Sequence, residues 1–161
     1  MEEKQKILMV DDRPENLVAL EAVLEGDDRI LIKALSGNEA LMLLLKHNFS
    51  LVLLDVQMPR MDGFEVAELM RANKKIQKVP IIFVTAISKE KKYVFKGYEC
   101  GAVDYLFKPI EPVILRSKVD FFLELDKSKR DLEMKLDAAR KSEQSFRAAM
   151  DGEKDDENED D

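Results

Sequence analysis

The sequence predicts a doubly wound α/β fold on a five-stranded parallel sheet, extended by one long helix. Five short apolar runs, at residues 7–10, 30–35, 51–54, 81–84 and 103–107, alternate with stretches whose apolar residues recur at helical spacing. That alternation is the pattern of βαβ units, whose crossovers place helices on both faces of a parallel sheet. After Glu111-Pro112 the texture changes: from about 113 to 150 there is neither glycine nor proline, and Lys, Glu, Asp, Arg, Leu and Ala dominate, the composition of a long helix.

The elements follow in order. Residues 7–10 form a strand that runs into Asp11-Asp12, and Pro14 sits where a first helical turn tolerates a missing N–H. Leu17, Leu20, Ala22, Val23 and Leu24 continue that helix to Gly26, a natural stop. After the second strand, 30–35, Ser36 caps a helix over about 38–47 with Glu39 near its positive end. Residues 51–54, LVLL, are too few for a helix and read as a strand buried on both faces, with Asp55 at its end. Met58-Pro59 and Met61-Asp62-Gly63 supply a turn, proline fixing φ and glycine accepting φ > 0. A third helix spans about 64–72. Pro80 opens the fourth strand, 81–84, which ends at Thr85-Ala86. A more polar helix over about 89–98 leads through Gly101 to the fifth strand, 103–107, which ends at Lys108-Pro109.

Composition narrows the function. At 161 residues with 45% apolar content the chain has room for one ordinary domain, 1–125, a helical extension, 126–150, and an appendage. No apolar run approaches the roughly 18 residues of a membrane span, and MEEKQK leads straight into a strand without a signal-peptide pattern. The expectation is a soluble, cytoplasmic protein without membrane contact. One cysteine, Cys100, excludes an internal disulfide, and with a single histidine, His47, a Cys/His zinc site is not expected; both residues read as packing or helix-end residues. Residues 151–161 hold eight acids and one lysine, the whole of the net charge of −7, so residues 1–150 are neutral. A neutral body offers no basic face for nucleic acid, and the acidic tail reads as disordered.

On the long helix, alternating steps of three and four pass through Phe122, Leu125, Lys129, Leu132, Leu136, Ala139, Glu143, Phe146 and Met150. Seven of the nine are apolar over four heptads, the pattern of a coiled coil, with Lys129 and Glu143 on the same heptad position. Leu125, Leu132, Leu136, Ala139 and Phe146 are therefore the expected contacts of a homodimer, pictured as a parallel pair. The simpler alternatives are a charged helix lying against its own domain and a solvated spacer.

In such a sheet the parallel strands end at one edge, where open α/β folds place their ligand sites. That edge gathers Asp11, Asp12, Asp55, Thr85 and Lys108. Unpaired carboxylates crowded together repel, and Mg²⁺ relieves this with one or two carboxylates while leaving sites for water and phosphate oxygens. A carboxylate there can be a nucleophile toward phosphorus, with Lys108 and the metal neutralising the phosphoryl group and Thr85 donating a hydrogen bond. The residues propose a phosphoaspartate site.

VDDRPENL at 10–17, LLDVQMPRMDG at 53–63, VTA at 84–86 and GAVDYLFKP at 101–109 resemble, in order and spacing, the receiver domain of two-component response regulators. The resemblance covers about residues 5–125. It implies the flavodoxin-like strand order 2-1-3-4-5, Asp55 as phosphoacceptor, and Asp11, Asp12, Asp55 and the Gln57 backbone carbonyl as ligands of Mg²⁺. Thr85 is implied as the switch hydroxyl, Lys108 as the phosphate contact, and Tyr105 as the aromatic whose ring moves inward on activation. It also implies a cis Lys108-Pro109 bond, and a sensor histidine kinase or phosphotransfer protein as partner. Gln57 and Ile87 occupy places that tune dephosphorylation, and Asp62 is assigned to the turn rather than the metal. The chain is then expected to catalyse only its own phosphorylation and dephosphorylation. A phosphatase with an aspartate nucleophile wants a second acid two residues on, where Gln57 stands. A further alternative is a receiver fragment of a longer protein, acting as an interaction module in the absence of its effector. No helix-turn-helix pattern follows Pro109, and the long helix lacks the histidine of a kinase dimerisation helix.

Overall fold

The structure is a computed structural model that describes residues 3–86, Lys96, Glu99, Gly101 and 104–159, with side chains as far as Gly152. In chain order the elements are β1 (Gln5–Val10), α1 (Pro14–Leu24), β2 (Arg29–Ala34), α2 (Gly37–Lys46), β3 (Leu51–Leu54), α3 (Gly63–Ala72), β4 (Ile81–Thr85), β5 (Asp104–Phe107) and α4 (Pro112–Glu159). The helix expected over 89–98 lies outside the described residues except for Lys96, which is helical. Ile87, Cys100 and Val103 lie outside them too.

The strands form one parallel sheet in the order β2-β1-β3-β4-β5, the order that the resemblance implies. Alternate residues of each strand point to opposite faces, and two cores result. Leu8, Val10, Val52, Leu54, Ile81 and Phe83 pack on one face with Ala40 and Leu44 of α2 and Val66 and Met70 of α3. Ile7, Met9, Leu51, Leu53, Ile82 and Val84 pack on the other with Leu17, Leu20 and Leu24 of α1 and Leu115, Val119 and Leu123 of α4. All four residues of β3 are buried, as expected for a central strand covered on both sides.

Local chemistry sets the helix starts. Pro14 opens α1. The Ser36 hydroxyl accepts from the Glu39 N–H at 3.1 Å, while the Glu39 carboxylate accepts from the Leu35 N–H at 3.1 Å, a reciprocal arrangement that satisfies free donors at the helix entrance. Asp62 accepts from the Glu65 N–H at 2.9 Å and caps α3. It serves a helix cap, where the sequence suggested only a turn.

The α1 helix ends at Leu24 with Glu25 as its cap, and Gly26 follows directly, at the stop expected of it. One further expectation is revised: Gly63 does not supply a positive φ, a conformation that falls on Arg60, at 70°. The helix α4 runs to Glu159; apart from Gly152 its last stretch contains no helix breaker.

The chain divides into two compact units after Leu123. The first holds the sheet and both cores. The second, from Glu124, is helix alone: every side chain from Asp131 to Gly152 is exposed, and the ion pairs Arg130–Asp126, Lys141–Asp137 and Arg147–Glu143 join residues one turn apart at 2.9, 3.2 and 2.7 Å.

Candidate functional site

Strand register builds the site. Val10 is level with Leu54 across β1 and β3, so Asp11 and Asp55 leave the sheet side by side, with the Asp55 N–H donating to the Val10 carbonyl at 3.0 Å. Thr85 ends β4 level with Phe107 of β5, and the Lys108 N–H donates to the Thr85 carbonyl at 2.9 Å. The next peptide bond, Lys108-Pro109, is cis. Asp11, Asp55, Thr85 and Lys108, distant in sequence, thus stand at one sheet edge.

Asp11 and Asp55 are buried, at 2% and 6% exposure, as is Thr85 at 1%. Asp11 is held from three sides: its Oδ1 accepts from the Arg13 N–H at 3.0 Å, and its Oδ2 accepts from Asn16 Nδ2 and from Lys108 Nζ, each at 3.0 Å. Lys108 Nζ also lies 3.7 Å from Asp55 Oδ2, so one ammonium bridges two carboxylates. Asp11, Asp12 and Asp55 each offer an oxygen within 4.8 Å of the others.

Burial pushes the Asp55 carboxyl up, to about 6; Lys108 opposes the rise, Asp11 adds to it, and the backbone N–H groups of Val56 and Gln57 hold it down. At neutral pH Asp55 is therefore ionised but poorly solvated, the condition of a reactive oxygen nucleophile. The donor set is all oxygen and anionic, with no nitrogen or sulfur, which fits a small hard divalent cation such as Mg²⁺.

The site also depends on one residue that the sequence did not single out, Asn16, and on Gly63 for a reason the sequence did not give. Asn16, on the first turn of α1, orients Asp11; its signal was a polar amide on the helix that follows the acidic loop. Gly63 is needed for close approach, since a Cβ there would lie 2.3 Å from the Asp55 carbonyl oxygen and 2.9 Å from Val56 Cα. Its N–H donates to the Val56 carbonyl at 2.8 Å, pinning the loop that carries Asp55. Gln57 is an exposed residue of that loop. The Tyr105 ring is buried, stacked on Phe107 at 5.6 Å and 5.3 Å from Phe83. His47 follows α2 and lies 3.3 Å through Nδ1 from Lys6 Nζ, remote in the fold from the acidic edge. Beside Asp11 and Lys108 opens a cleft of about 330 Å³, floored by Leu20, Val23, Val84, Ile110 and Leu115.

A model of the response regulator receiver domain matches residues 7–120. The chain belongs to that family. It is 40% identical over 123 residues to a probable cyclic di-GMP phosphodiesterase of Vibrio cholerae, covering 76% of this chain and 27% of that protein. It is 39% identical over 115 residues to the transcriptional regulatory protein SrrA of Staphylococcus aureus, covering 70% and 46%. The chain thus spans under half the length of these relatives. Among solved structures, the Vibrio cholerae chemotaxis protein CheY4 is similar, with a TM-score of 0.69 and 28% identity over 74% of this chain and 99% of that one. Among the described residues of this receiver, no helix is long and apolar enough to cross a membrane.

Proposed function

We propose that this chain is a phosphorylation switch that accepts a phosphoryl group on Asp55 from a sensor histidine kinase or phosphotransfer protein, and that it signals through α4, which pairs with a second copy. The observation that carries the reading is the convergence of Asp11, Asp12 and Asp55 within 4.8 Å, with Lys108 Nζ 3.7 Å from Asp55.

An Asp55 carboxylate oxygen attacks phosphorus, the bond from phosphorus to the donor imidazole breaks, and its electron pair returns to the ring nitrogen, which takes a proton. Burial leaves the Asp55 oxygens lightly hydrated, so little water must be displaced. Lys108 exchanges part of its contact with Asp11 for the incoming phosphoryl oxygens and neutralises their charge. The Thr85 hydroxyl donates to the phosphoryl group, and Tyr105 adjusts with it. Asp11, Asp12, Asp55 and the Gln57 carbonyl would hold Mg²⁺, which when bound would supply charge neutralisation at the phosphoryl oxygens. The receiver catalyses its own phosphorylation and dephosphorylation.

With a small-molecule phosphodonor and Mg²⁺, intact-mass spectrometry should show the gain of one phosphoryl group, lost in Asp55→Asn and in chelator. Uptake that persists in Asp55→Asn would place the acceptor elsewhere and overturn the reading.

A further inference from the structure

The second unit carries an apolar seam that nothing covers among the described residues. Leu125, Leu132, Leu136, Phe146 and Met150 are 55, 69, 51, 67 and 44% exposed, and with Ala139 they recur at steps of three and four. We propose that residues 125–150 pair with the same segment of a second copy as an antiparallel two-stranded coiled coil, Leu136 of one helix layered on Ala139 of the other. This rests on the dimer reading above, and it replaces the parallel arrangement that a continuing heptad first suggests.

The flanking charges decide the orientation, as they do in coiled coils generally. With Lys129, Leu136, Glu143 and Met150 at a and Leu125, Leu132, Ala139 and Phe146 at d, the e positions are Asp126, Glu133, Arg140 and Arg147. The g positions are Ser128, Lys135, Ser142 and Ala149. In a parallel pair each g residue meets the next e residue of the other helix. The pairs are Ser128–Glu133, Lys135–Arg140 and Ser142–Arg147: none attractive, one repulsive. The core would also stack Lys129 on Lys129 and Glu143 on Glu143.

In an antiparallel pair a layers on d, e faces e and g faces g. Setting Leu136 against Ala139 gives the layers Leu125–Met150, Lys129–Phe146 and Leu132–Glu143. The e faces then match Asp126 with Arg147 and Glu133 with Arg140, each twice by symmetry, with no like pair. The g faces match Ser128 with Ala149 and Lys135 with Ser142. Lys129 comes to lie one layer from Glu143 of the other copy. A shift of one heptad either way sets Glu133 on Glu133 or Arg140 on Arg140, so one register is selected. The free helix is consistent with this: Glu133 and Arg140 make no ion pair within the chain among the described residues, while Asp126 pairs with Arg130 and Arg147 with Glu143 one turn away.

Sedimentation equilibrium of the full chain tests the pairing, and two sets of variants test its direction. Arg140→Glu should weaken the dimer roughly tenfold by turning two exposed attractions into repulsions, and adding Glu133→Arg should restore it. In a parallel pair Arg140→Glu would face Lys135 and tighten the dimer instead, which would overturn the orientation. In a Cys100→Ser background, oxidation should link Leu125→Cys/Met150→Cys chains into covalent dimers and leave Leu125→Cys alone unlinked. Linkage of the single variant, or of neither, overturns the register while leaving a sedimenting dimer in place. A monomer at every concentration overturns the dimer reading itself.

Discussion

At the scale of the residue, Asp55 holds an ionised carboxylate where the sheet would prefer none. Its carboxyl is raised from 3.8 to about 6 by burial, against Lys108 and with Asp11. A carboxyl raised in the folded state contributes stability that is complete below its ordinary value and is lost as pH climbs through the folded value. The loss therefore falls between about pH 4 and 6 and is worth up to about 3 kcal/mol. Chelator-treated Asp55→Asn should consequently be more stable than the parent at neutral pH, by about 2 kcal/mol, with the gap closing toward pH 4. Thermal melts across that range read it, and a variant less stable at neutral pH would mean that burial does not dominate at Asp55. The edge residues themselves were legible in the sequence, because Asp11, Asp12, Asp55, Thr85 and Lys108 each lie at or just past the end of a strand and parallel strands end together. Asn16 and the true reason for Gly63 were not. They act through tertiary approach, a 3.0 Å contact to Asp11 and a 2.3 Å limit against the Asp55 backbone, and spacing along the chain does not show which backbone passes close to which side chain.

At the scale of the element, the strands were legible to within a residue or two, and polarity hid the start of β1. Gln5 and Lys6 extend β1 because their backbones pair with Arg29 and Ile30 of β2, although their side chains break the apolar run. The polar tie between α3 and the sheet was not legible. Arg71, in the last turn of α3, donates through Nη1 to the Gln77 and Val79 carbonyls at 2.6 and 2.9 Å and through Nη2 to the Gly101 carbonyl at 2.6 Å. Burial lowers its pKa from the ordinary value, and the three charge-assisted bonds offset that cost. Gly101 has φ +83°, and a Cβ there would meet Arg71 Nε at 2.5 Å. One guanidinium thereby ties the approach to β4 and the approach to β5 to a helix end. Arg71→Met should cost about 2–3 kcal/mol in urea unfolding. Arg71→Lys should recover little of it, since an ammonium lacks the planar fork that serves three carbonyls. Full recovery by lysine would show that charge alone is at work.

At the scale of the whole molecule, the same helix supplies Leu115, Val119 and Leu123 to the core of the first unit and the exposed seam to the second. The body is neutral and the charge of −7 sits in residues 151–161, so long-range attraction between copies has no source in the body, and the proposed pairing rests on the seam alone. An isolated helix is marginal in water, and ion pairs one turn apart add only about 0.3–0.5 kcal/mol each, so the proposed pairing would supply most of the second unit's order. If phosphorylation of Asp55 is read out there, thermodynamic linkage makes the effect reciprocal: whatever factor the phosphoryl group applies to dimer affinity, dimer formation applies to the affinity of the site for the group. Beryllofluoride with Mg²⁺ serves as the phosphoryl mimic. Its apparent affinity should differ between protein concentrations below and above the dimer Kd, by a factor typical of such coupling, about 5–150, and the difference should vanish in Leu132→Asp/Leu136→Asp, which cannot form the seam. Equal affinity at both concentrations in the parent chain would separate the switch from the helix and assign the output to the receiver surface alone.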